Sequence, residues 1–165
     1  MTPDNRIAVC AGSYDPITNG HLDIIARASA MFDHVIVAVA NSPFRKSKPL
    51  FSAEERVGFI LNATAPLGNV SAEPFANLVV EFAANHGAKA IVKGLRAISD
   101  FEYELEMNQL NDLQAPEIES VYLMASAKYS FIRSSGVKEL ATYGGNIDEL
   151  VPAEVATALK ERLGR

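Results

Sequence analysis

The residues best suited to chemistry lie in one ten-residue segment, 12–21, which reads Gly-Ser-Tyr-Asp-Pro-Ile-Thr-Asn-Gly-His. The Ser13 hydroxyl can donate a hydrogen bond to an anion. Thr18 and Asn19 both suit the cap of a helix, which would place His21 in the first helical turn. Free backbone N–H groups and the helix dipole attract phosphate there, and the imidazole can donate to a phosphoryl oxygen as charge develops. The segment therefore predicts a phosphate-binding turn that contains His21.

Positive charge is concentrated in three short segments of a chain whose net charge is −5. Each segment follows a predicted strand, and together they hold eight of the fifteen Lys and Arg residues. The acidic balance argues against nucleic acid as a partner. Cations gathered in loops after strands indicate instead a small anionic ligand. The eight residues are Arg45, Lys46, Lys48, Lys93, Arg96, Lys128, Arg133 and Lys138.

Short apolar runs alternate with helical patterns along the chain, and these elements would position the basic segments. Near-continuous apolar runs suit strands of a parallel sheet that is covered on both faces. The pattern predicts an α/β fold, a Rossmann-like open parallel sheet with helices on both faces, in which ligands bind beyond the carboxyl ends of the strands. Strands are predicted at 7–11, 35–40, 70–73, 89–92 and 120–124, and helices at 20–32, from 52, at 78–86, near 134 and from 152.

The segment 101–107 fits two kinds of element. Its alternation of apolar and acidic residues is typical of a half-buried strand. The spacing of Ser99 and Glu102 matches a capping box, and Glu, Leu and Met are good helix formers. Because parallel strands on either side require a crossover, we predict a helix here.

Composition excludes several classes of protein. The 165 residues, 48% of them apolar, fit one globular domain over 1–165. One cysteine and three scattered histidines exclude a disulfide framework and a zinc cluster of recognisable spacing. The apolar runs are too short to span a membrane, and the first six residues lack the apolar region of a signal peptide. We therefore expect a cytoplasmic domain with no membrane partner, in which Cys10 is a core residue.

The motif Thr-Asn-Gly-His at 18–21 resembles the T/H-x-G-H signature of the nucleotidylyltransferase superfamily. The whole segment 12–21 closely resembles the first motif of the bacterial phosphopantetheine adenylyltransferase family. The resemblance extends over essentially the whole chain. It includes the segments 31–35, 51–57, 94–104, 129–135 and 137–139.

That resemblance implies transfer of an adenylyl group from ATP to 4'-phosphopantetheine, by a homohexamer that uses Mg²⁺ carried with ATP. His21 would be the catalytic residue. The acceptor would be bound by Ser13, Val79, Lys93 and a cation of the loop 42–49. The residues implied for ATP are Ser13, Tyr14, His21, Gly94, Leu95, Arg96, Glu104, Tyr129, Ser130, Phe131, Ile132, Arg133, Ser134 and Ser135.

The chain departs from the family pattern at three places. Lys93 stands where most members have Arg, which keeps the charge and loses the bidentate fork. Arg133 replaces the first of three serines, of which Ser134 or Ser135 could cap the following helix. The basic loop 42–49 is about two residues longer than usual. The resemblance therefore leaves three alternatives for the substrate-binding cation, which are Lys46, Arg45 and Lys48.

The sequence shows no nucleophile paired with a base and an orienting third group, so the acceptor's phosphate would attack the α-phosphorus directly. No acidic cluster accompanies a phosphate loop, so Mg²⁺ would be held by the triphosphate and water rather than by protein ligands. Two rival hypotheses remain. One is another nucleotidylyltransferase that acts on nicotinate mononucleotide or a small phosphorylated alcohol, and the other is a non-catalytic nucleotide-binding module.

Overall fold

The computed structural model describes residues 5–45 and 47–164, which form a parallel sheet and the helices that connect its strands. The strands are β1 (Ile7–Gly12), β2 (His34–Ala40), β3 (Val70–Phe75), β4 (Ala90–Leu95) and β5 (Glu119–Met124). The helices are α1 (Asn19–Met31), α2 (Ala53–Thr64), α3 (Val79–Asn85), α4 (Ile98–Gln114), α5 (Ser134–Thr142) and α6 (Ala153–Arg162), and a 3₁₀ turn covers Ala65–Leu67.

The sheet has the strand order β3-β2-β1-β4-β5, and every pair of neighbours is parallel. This confirms the predicted α/β, Rossmann-like architecture. The chain moves outward from β1 to β3 and then returns to the other side of β1 with β4. Such a reversal opens a crevice between the two strands at their carboxyl ends. The order therefore places a ligand site beside Gly12 and Leu95, the last residues of β1 and β4.

Alternate residues of the central strands face two apolar clusters on opposite sides of the sheet. Ala8 and Cys10 of β1 belong to the cluster that includes α1, α2, α5 and α6, whereas Val9 faces the cluster with α3. Cys10 is buried as predicted, and burial raises the pKa of its thiol to about 12. The thiol is therefore a protonated core group at neutral pH.

The segment 101–107 lies within α4, so the helix prediction is confirmed, but the predicted capping box is wrong. The helix begins at Ile98, and its cap, Ala97, makes no side-chain hydrogen bond. Ser99 is thus already inside the first turn. The Asp100 carboxylate instead accepts a hydrogen bond from the backbone N–H of Arg96 at 3.0 Å, which supports the start of the helix.

His34 is the first residue of β2. Its Nε2 lies 2.8 Å from the Ser71 hydroxyl of β3. The parallel pairing of β2 with β1, in which His34 lies opposite Ile7, extends the strand back to this residue.

Gly94 of β4 makes room for α1. A Cβ built at this position would lie 2.8 Å from Cγ1 of Ile24, much closer than two carbon atoms pack. The resemblance implies that Gly94 contacts ATP, and the structure shows that this glycine allows the close packing of α1 on β4. That packing fixes the position of the helix that carries His21.

We expect Gly94→Ala to lower the free energy of unfolding by about 1–3 kcal/mol, because the added methyl group overpacks the contact with Ile24. Urea denaturation measures the change. Gly58→Ala is the matched control, since a Cβ at this α2 position meets nothing within 4 Å. It should stabilise the protein by about 0.5–1 kcal/mol, because Ala is the better helix former. Equal effects of the two substitutions would contradict the packing account.

Candidate functional site

A cleft of about 520 Å³ lies at the carboxyl ends of β1 and β4. Its walls come from the ends of these strands, the first turn of α1, one side of α4, and the segment that leads into α5. The sheet thus brings together parts of the chain more than 100 residues apart. The predicted residues that line the cleft are Tyr14, His21, Lys93, Gly94, Arg96, Glu104, Tyr129, Ile132, Arg133, Ser134 and Ser135.

His21 is fixed by a reciprocal contact with Thr18, the cap of α1. The Thr18 hydroxyl accepts a hydrogen bond from the His21 backbone N–H at 3.3 Å. In return, the Thr18 backbone N–H donates to Nδ1 of the imidazole at 3.0 Å. A ring nitrogen that accepts a hydrogen bond carries no proton, so the neutral ring has its proton on Nε2. Within 5–45 and 47–164 no partner is found for Nε2, which leaves this N–H available to a ligand.

The surroundings of His21 keep it neutral. Burial of the ring among protein atoms, and secondarily the positive charge of Arg96, lower its pKa from 6.5 to about 4. Part of the residue nevertheless lines the cleft. At neutral pH the cleft therefore contains a neutral imidazole that can donate through Nε2, rather than an imidazolium ion.

The side chain of Tyr14 supports the site from behind. Its hydroxyl donates to the Cys10 carbonyl at 2.9 Å, and its ring packs edge-on against the His21 ring with 5.0 Å between centroids. The residue adopts φ +48°, a conformation that only a well-supported non-glycine residue keeps. The hydroxyl hydrogen of Tyr14 is therefore already used within the protein.

Lys93 and Glu104 form an ion pair inside the cleft. The Lys93 ammonium lies 2.6 Å from a Glu104 carboxylate oxygen, and both side chains are more than four-fifths buried. The sequence assigned the lysine to the acceptor's phosphate and the glutamate to ATP. The structure places them in contact, so a phosphate that binds Lys93 must share this ammonium with the carboxylate.

Arg96 is held on two sides. Its Nε donates to Asp100 at 3.2 Å, and its Nη1 donates to the Ile132 carbonyl at 3.2 Å. Hydrogen bonds from the Arg96 backbone and the charge of Arg96 outweigh burial, which acts in the opposite direction, and lower the pKa of Asp100. The guanidinium is therefore oriented before any ligand binds.

The expected serine cap of α5 is wrong. Arg133 is the cap residue, and it makes no side-chain capping hydrogen bond. The Ser134 hydroxyl is unavailable for capping because it donates to the Pro16 carbonyl at 2.8 Å. This bond ties the start of α5 to the segment 12–21, and Ser134 and Ser135 still present the first turn of α5 to the cleft.

The other predicted residues that the structure describes do not line the cleft. Ser13 is exposed next to it, Val79 begins α3, and Leu95 is buried at the end of β4. The Ser130 hydroxyl donates to the Ala127 carbonyl, and the Phe131 side chain is exposed. In the basic loop, Arg45 donates to the Ala40 carbonyl at 3.3 Å and Lys48 is exposed. Lys46 lies outside the described residues.

The sequence analysis missed two buried charged residues beside the cleft. Asp15 accepts hydrogen bonds from the backbone N–H groups of Leu50 and Phe51, both at 2.9 Å, and from Lys138 at 3.0 Å. Burial alone would raise the pKa of Asp15, but these bonds outweigh it and lower the pKa. The second residue, Arg56, is fully buried in α2. For Arg56, the signal available in the sequence was a charged residue among the apolar positions of a predicted helix.

The described residues hold no group of three or more His, Cys, Asp or Glu side chains placed to bind a metal ion. The carboxylates of Glu104 and Asp100 are paired with Lys93 and Arg96. No helix in the described part of the chain has the length and apolar character needed to cross a membrane.

The chain is similar to known proteins in sequence and in structure. Residues 9–140 match the model of a family described as cytidylyltransferase-like. The chain is 50% identical, over 96% of its own length and 96% of the relative's, to a phosphopantetheine adenylyltransferase of Desulforudis audaxviator. It is 51% identical to that of Alkaliphilus oremlandii, over 95% of this chain and 99% of the relative. The chain belongs to the phosphopantetheine adenylyltransferase family.

Solved structures with the same fold include more distant proteins. A structure described as a candidate nicotinate-nucleotide adenylyltransferase from Vibrio parahaemolyticus superposes with a TM-score of 0.69 at 15% identity, over 96% of this chain and 94% of that one. A bifunctional NMN adenylyltransferase/ADP ribose pyrophosphatase from Francisella tularensis gives 0.70 at 19% identity, over 98% of this chain and half of that protein. At these identities the likeness shows the fold alone. The assignment to the phosphopantetheine adenylyltransferase family depends on the sequence relatives.

For this phosphopantetheine adenylyltransferase family member, we expect the His21 imidazole to titrate near pH 4. An NMR titration of the histidine ring C–H signals measures the midpoint, with the His21 signal assigned by its loss in His21→Gln. Between about pH 6.5 and pH 4 the unfolded chain binds a proton at this position and the folded chain does not. The free energy of unfolding should therefore fall as the pH is lowered through this range, and His21→Gln should reduce the slope. A midpoint at 6.5 or above would contradict the account.

Proposed function

We propose that the protein transfers the adenylyl group of ATP to 4'-phosphopantetheine and so forms dephospho-coenzyme A and pyrophosphate, a step of coenzyme A biosynthesis in the cytoplasm. The observation that carries the proposal is the half-identity, over nearly the full length, to two phosphopantetheine adenylyltransferases. The cleft supplies matching chemistry, because a neutral imidazole, a helix N-terminus and several cations meet there.

The reaction joins an oxygen of the acceptor's phosphate to the α-phosphorus of ATP. The bond from the α-phosphorus to the bridging oxygen breaks, and pyrophosphate leaves with that electron pair. The residues around the cleft favour this direct transfer over a covalent enzyme intermediate. The Cys10 thiol is buried and protonated, and the Ser134 hydroxyl is bonded to a backbone carbonyl. The protein then contributes by orienting its substrates and by electrostatic stabilisation.

His21 is the residue that meets the developing charge. Its Nε2–H donates to a non-bridging oxygen of the α-phosphate, on which charge accumulates during the transfer. Thr18 holds the opposite ring nitrogen, so the donor points into the cleft before the reaction begins. A donor that is oriented in advance stabilises the transition state without reorganisation, and losing one typically costs 100- to 1,000-fold in rate, roughly.

The cations divide between the two substrates. Lys93 holds the phosphate of 4'-phosphopantetheine, with Ser13, Val79 and a cation of the basic loop as further contacts to the acceptor. Arg96 and the first turn of α5 bind the β- and γ-phosphates, and Glu104 accepts a hydrogen bond from the ribose. The support for this division is positional, since Lys93 and Arg96 flank Gly94 at the end of β4 and both line the cleft.

Mg²⁺ enters this proposal as an ion carried with ATP. The donor set of the cleft fits this role, because the carboxylates of Glu104 and Asp100 are bound to cationic side chains and the phosphates supply the oxygen ligands that Mg²⁺ prefers. The ion neutralises part of the triphosphate charge when it is bound. Arg96 and Arg133 provide the remaining positive charge beside the pyrophosphate.

The function is tested by measuring pyrophosphate release with ATP and a panel of acceptors. We expect release with 4'-phosphopantetheine and none with pantetheine, which lacks the attacking phosphate. Nicotinate mononucleotide and NMN test the rival nucleotidylyltransferase hypothesis. Release with either of these alone would contradict the proposal. Absence of release with every acceptor would favour a nucleotide-binding module.

The same assay includes His21→Ala and His21→Gln. We expect kcat to fall by about 100- to 1,000-fold in both, with the fold retained. Glutamine at the third helical position can replace the capping contact with Thr18, so His21→Gln separates the loss of the imidazole from the loss of the cap. The variants also reveal release caused by a contaminating host enzyme, because contamination would persist in them at wild-type level.

We further propose that the protein is a homohexamer in which α4 lies at a subunit contact. This 17-residue helix has no buried residue in the isolated chain. Ile98, Phe101 and Leu105, which follow helical spacing, are exposed, as is Leu113. Exposed apolar surface of this extent marks interaction sites.

Light scattering coupled to gel filtration measures the assembly. We expect a mass about six times the 17.8 kDa of the chain, and a smaller particle for Leu113→Asp. Lys160→Asp, at an exposed position of α6, is the matched control and should leave the mass unchanged. A wild-type mass equal to one chain would contradict the proposal.

A further inference from the structure

Arg56 uses a fully buried guanidinium to bind backbone rather than a carboxylate. Its side chain is 0% exposed, and all of its hydrogen bonds go to backbone carbonyls. Nε donates to Phe51 and Ser52, each at 3.2 Å. Nη1 donates to Ser13 at 2.7 Å and to Ala40 at 2.9 Å. Nη2 is buried without a partner in the described residues.

Three of the four carbonyls lie at the two ends of the basic loop, and the fourth belongs to the segment 12–21, which lines the cleft. Ala40 is the last residue of β2, directly before the basic loop, and Phe51 and Ser52 come directly after that loop. Ser13 belongs to the segment 12–21. One guanidinium therefore joins both ends of the basic loop to the turn that precedes His21.

Asp15 strengthens the same junction from the other side. Its carboxylate accepts the backbone N–H groups of Leu50 and Phe51, while Arg56 binds the carbonyl of Phe51. The end of the loop is thus held through both polar groups of one peptide residue. Arg45, within the loop, donates to the same Ala40 carbonyl that Arg56 binds.

A simple packing role would not require a cation. Burial lowers the pKa of Arg56, which reflects the cost of removing its charge from water. Its neighbours Phe51, Phe59 and Ile60 are buried and apolar, so an apolar side chain would suit the core at lower cost. A donor of several hydrogen bonds in fixed directions is what this position gains from arginine.

We propose that Arg56 is a positioning residue that sets where the basic loop lies relative to Ser13, and that it thereby orients the phosphate of the acceptor. The inference rests on the proposed function for the identity of that acceptor. It acts through the loop and the turn, since Arg56 itself does not reach the cleft. The consequence is specific: loss of the clamp weakens the acceptor side of the site more than the ATP side.

The test compares Arg56→Lys and Arg56→Met with the wild-type protein. Small misplacements of positioning groups cost up to about 100-fold in rate. We expect kcat/KM for 4'-phosphopantetheine to fall about 10-fold in Arg56→Lys and about 100-fold in Arg56→Met, with KM for ATP changed less than about threefold. Lysine keeps the charge and part of the bonding, so it should rescue part of the methionine loss. If Arg56→Met does not fold, Arg56→Lys alone tests the proposal.

A second readout does not depend on activity. Trypsin must take the Arg45 side chain into its own binding pocket, so cleavage after Arg45 requires release of the contact with the Ala40 carbonyl, and the nicked products are identified by mass. We expect nicking to be at least about tenfold faster in the Arg56 variants than in a control of equal thermal stability. Ile118→Ala is that control, because Ile118 is buried in the cluster on the opposite face of the sheet.

The outcomes separate the two proposals. Wild-type protein that transfers nothing to 4'-phosphopantetheine overturns the proposed function, and the nicking comparison still decides the loop-holding role of Arg56. Acceptor parameters and nicking rates in Arg56→Lys that equal those of Ile118→Ala overturn the inference while the function stands. Equal losses for ATP and for the acceptor also overturn it.

Discussion

The reciprocal contact between Thr18 and His21 is the constraint on which the site depends. The same pair of residues begins α1 and fixes the imidazole, because each supplies a backbone N–H to the other's side chain. The backbone N–H of Thr18 takes the lone pair of Nδ1, so the proton of the neutral ring is left on Nε2 and faces the cleft. The packing of α1 on Gly94 then sets the distance between this donor and the cations at the end of β4. The helix start, the tautomer and the placement of the ring thus follow from one local arrangement.

The positive groups around His21 are held in place by carboxylates, which suits the anionic substrates of the proposed function. Lys93 and Arg96 are each paired with a carboxylate of α4, which fixes their positions at the cleft. The net charge of −5 describes the surface of the chain and says little about this interior. Burial and the nearby guanidinium lower the pKa of His21 and keep the ring neutral. The ring therefore adds no charge beside these cations and can still donate a hydrogen bond through Nε2. In the proposed function, the cations attract the phosphates, and the imidazole donates one oriented hydrogen bond to the α-phosphate.

Local patterns in the sequence were sufficient for the sheet, the helices and the main motif. Apolar runs indicate which segments are buried. The start of α1 is determined within the four residues 18–21, where Thr18 is the cap and His21 completes the capping box. Contacts between distant segments could not be found in this way. The pairing of Lys93 with Glu104 depends on how α4 folds back over β4. The cap of α5 moved to Arg133 because Pro16, 118 residues away from Ser134, takes the serine hydroxyl. The contacts of Arg56 could not be predicted either, because its partners are backbone carbonyls, which every residue type carries.

The most direct test of the central claim is the tautomer of His21 in the ligand-free protein at pH 7. Two-bond ¹⁵N–¹H correlation spectra of the imidazole distinguish a proton on Nε2 from one on Nδ1 and both from the imidazolium. The account predicts a neutral ring with its proton on Nε2, and the same tautomer in Thr18→Ala, which keeps the backbone N–H that donates to Nδ1. A proton on Nδ1, or a charged ring at pH 7, would contradict it, because Nδ1 could then not accept the hydrogen bond from Thr18.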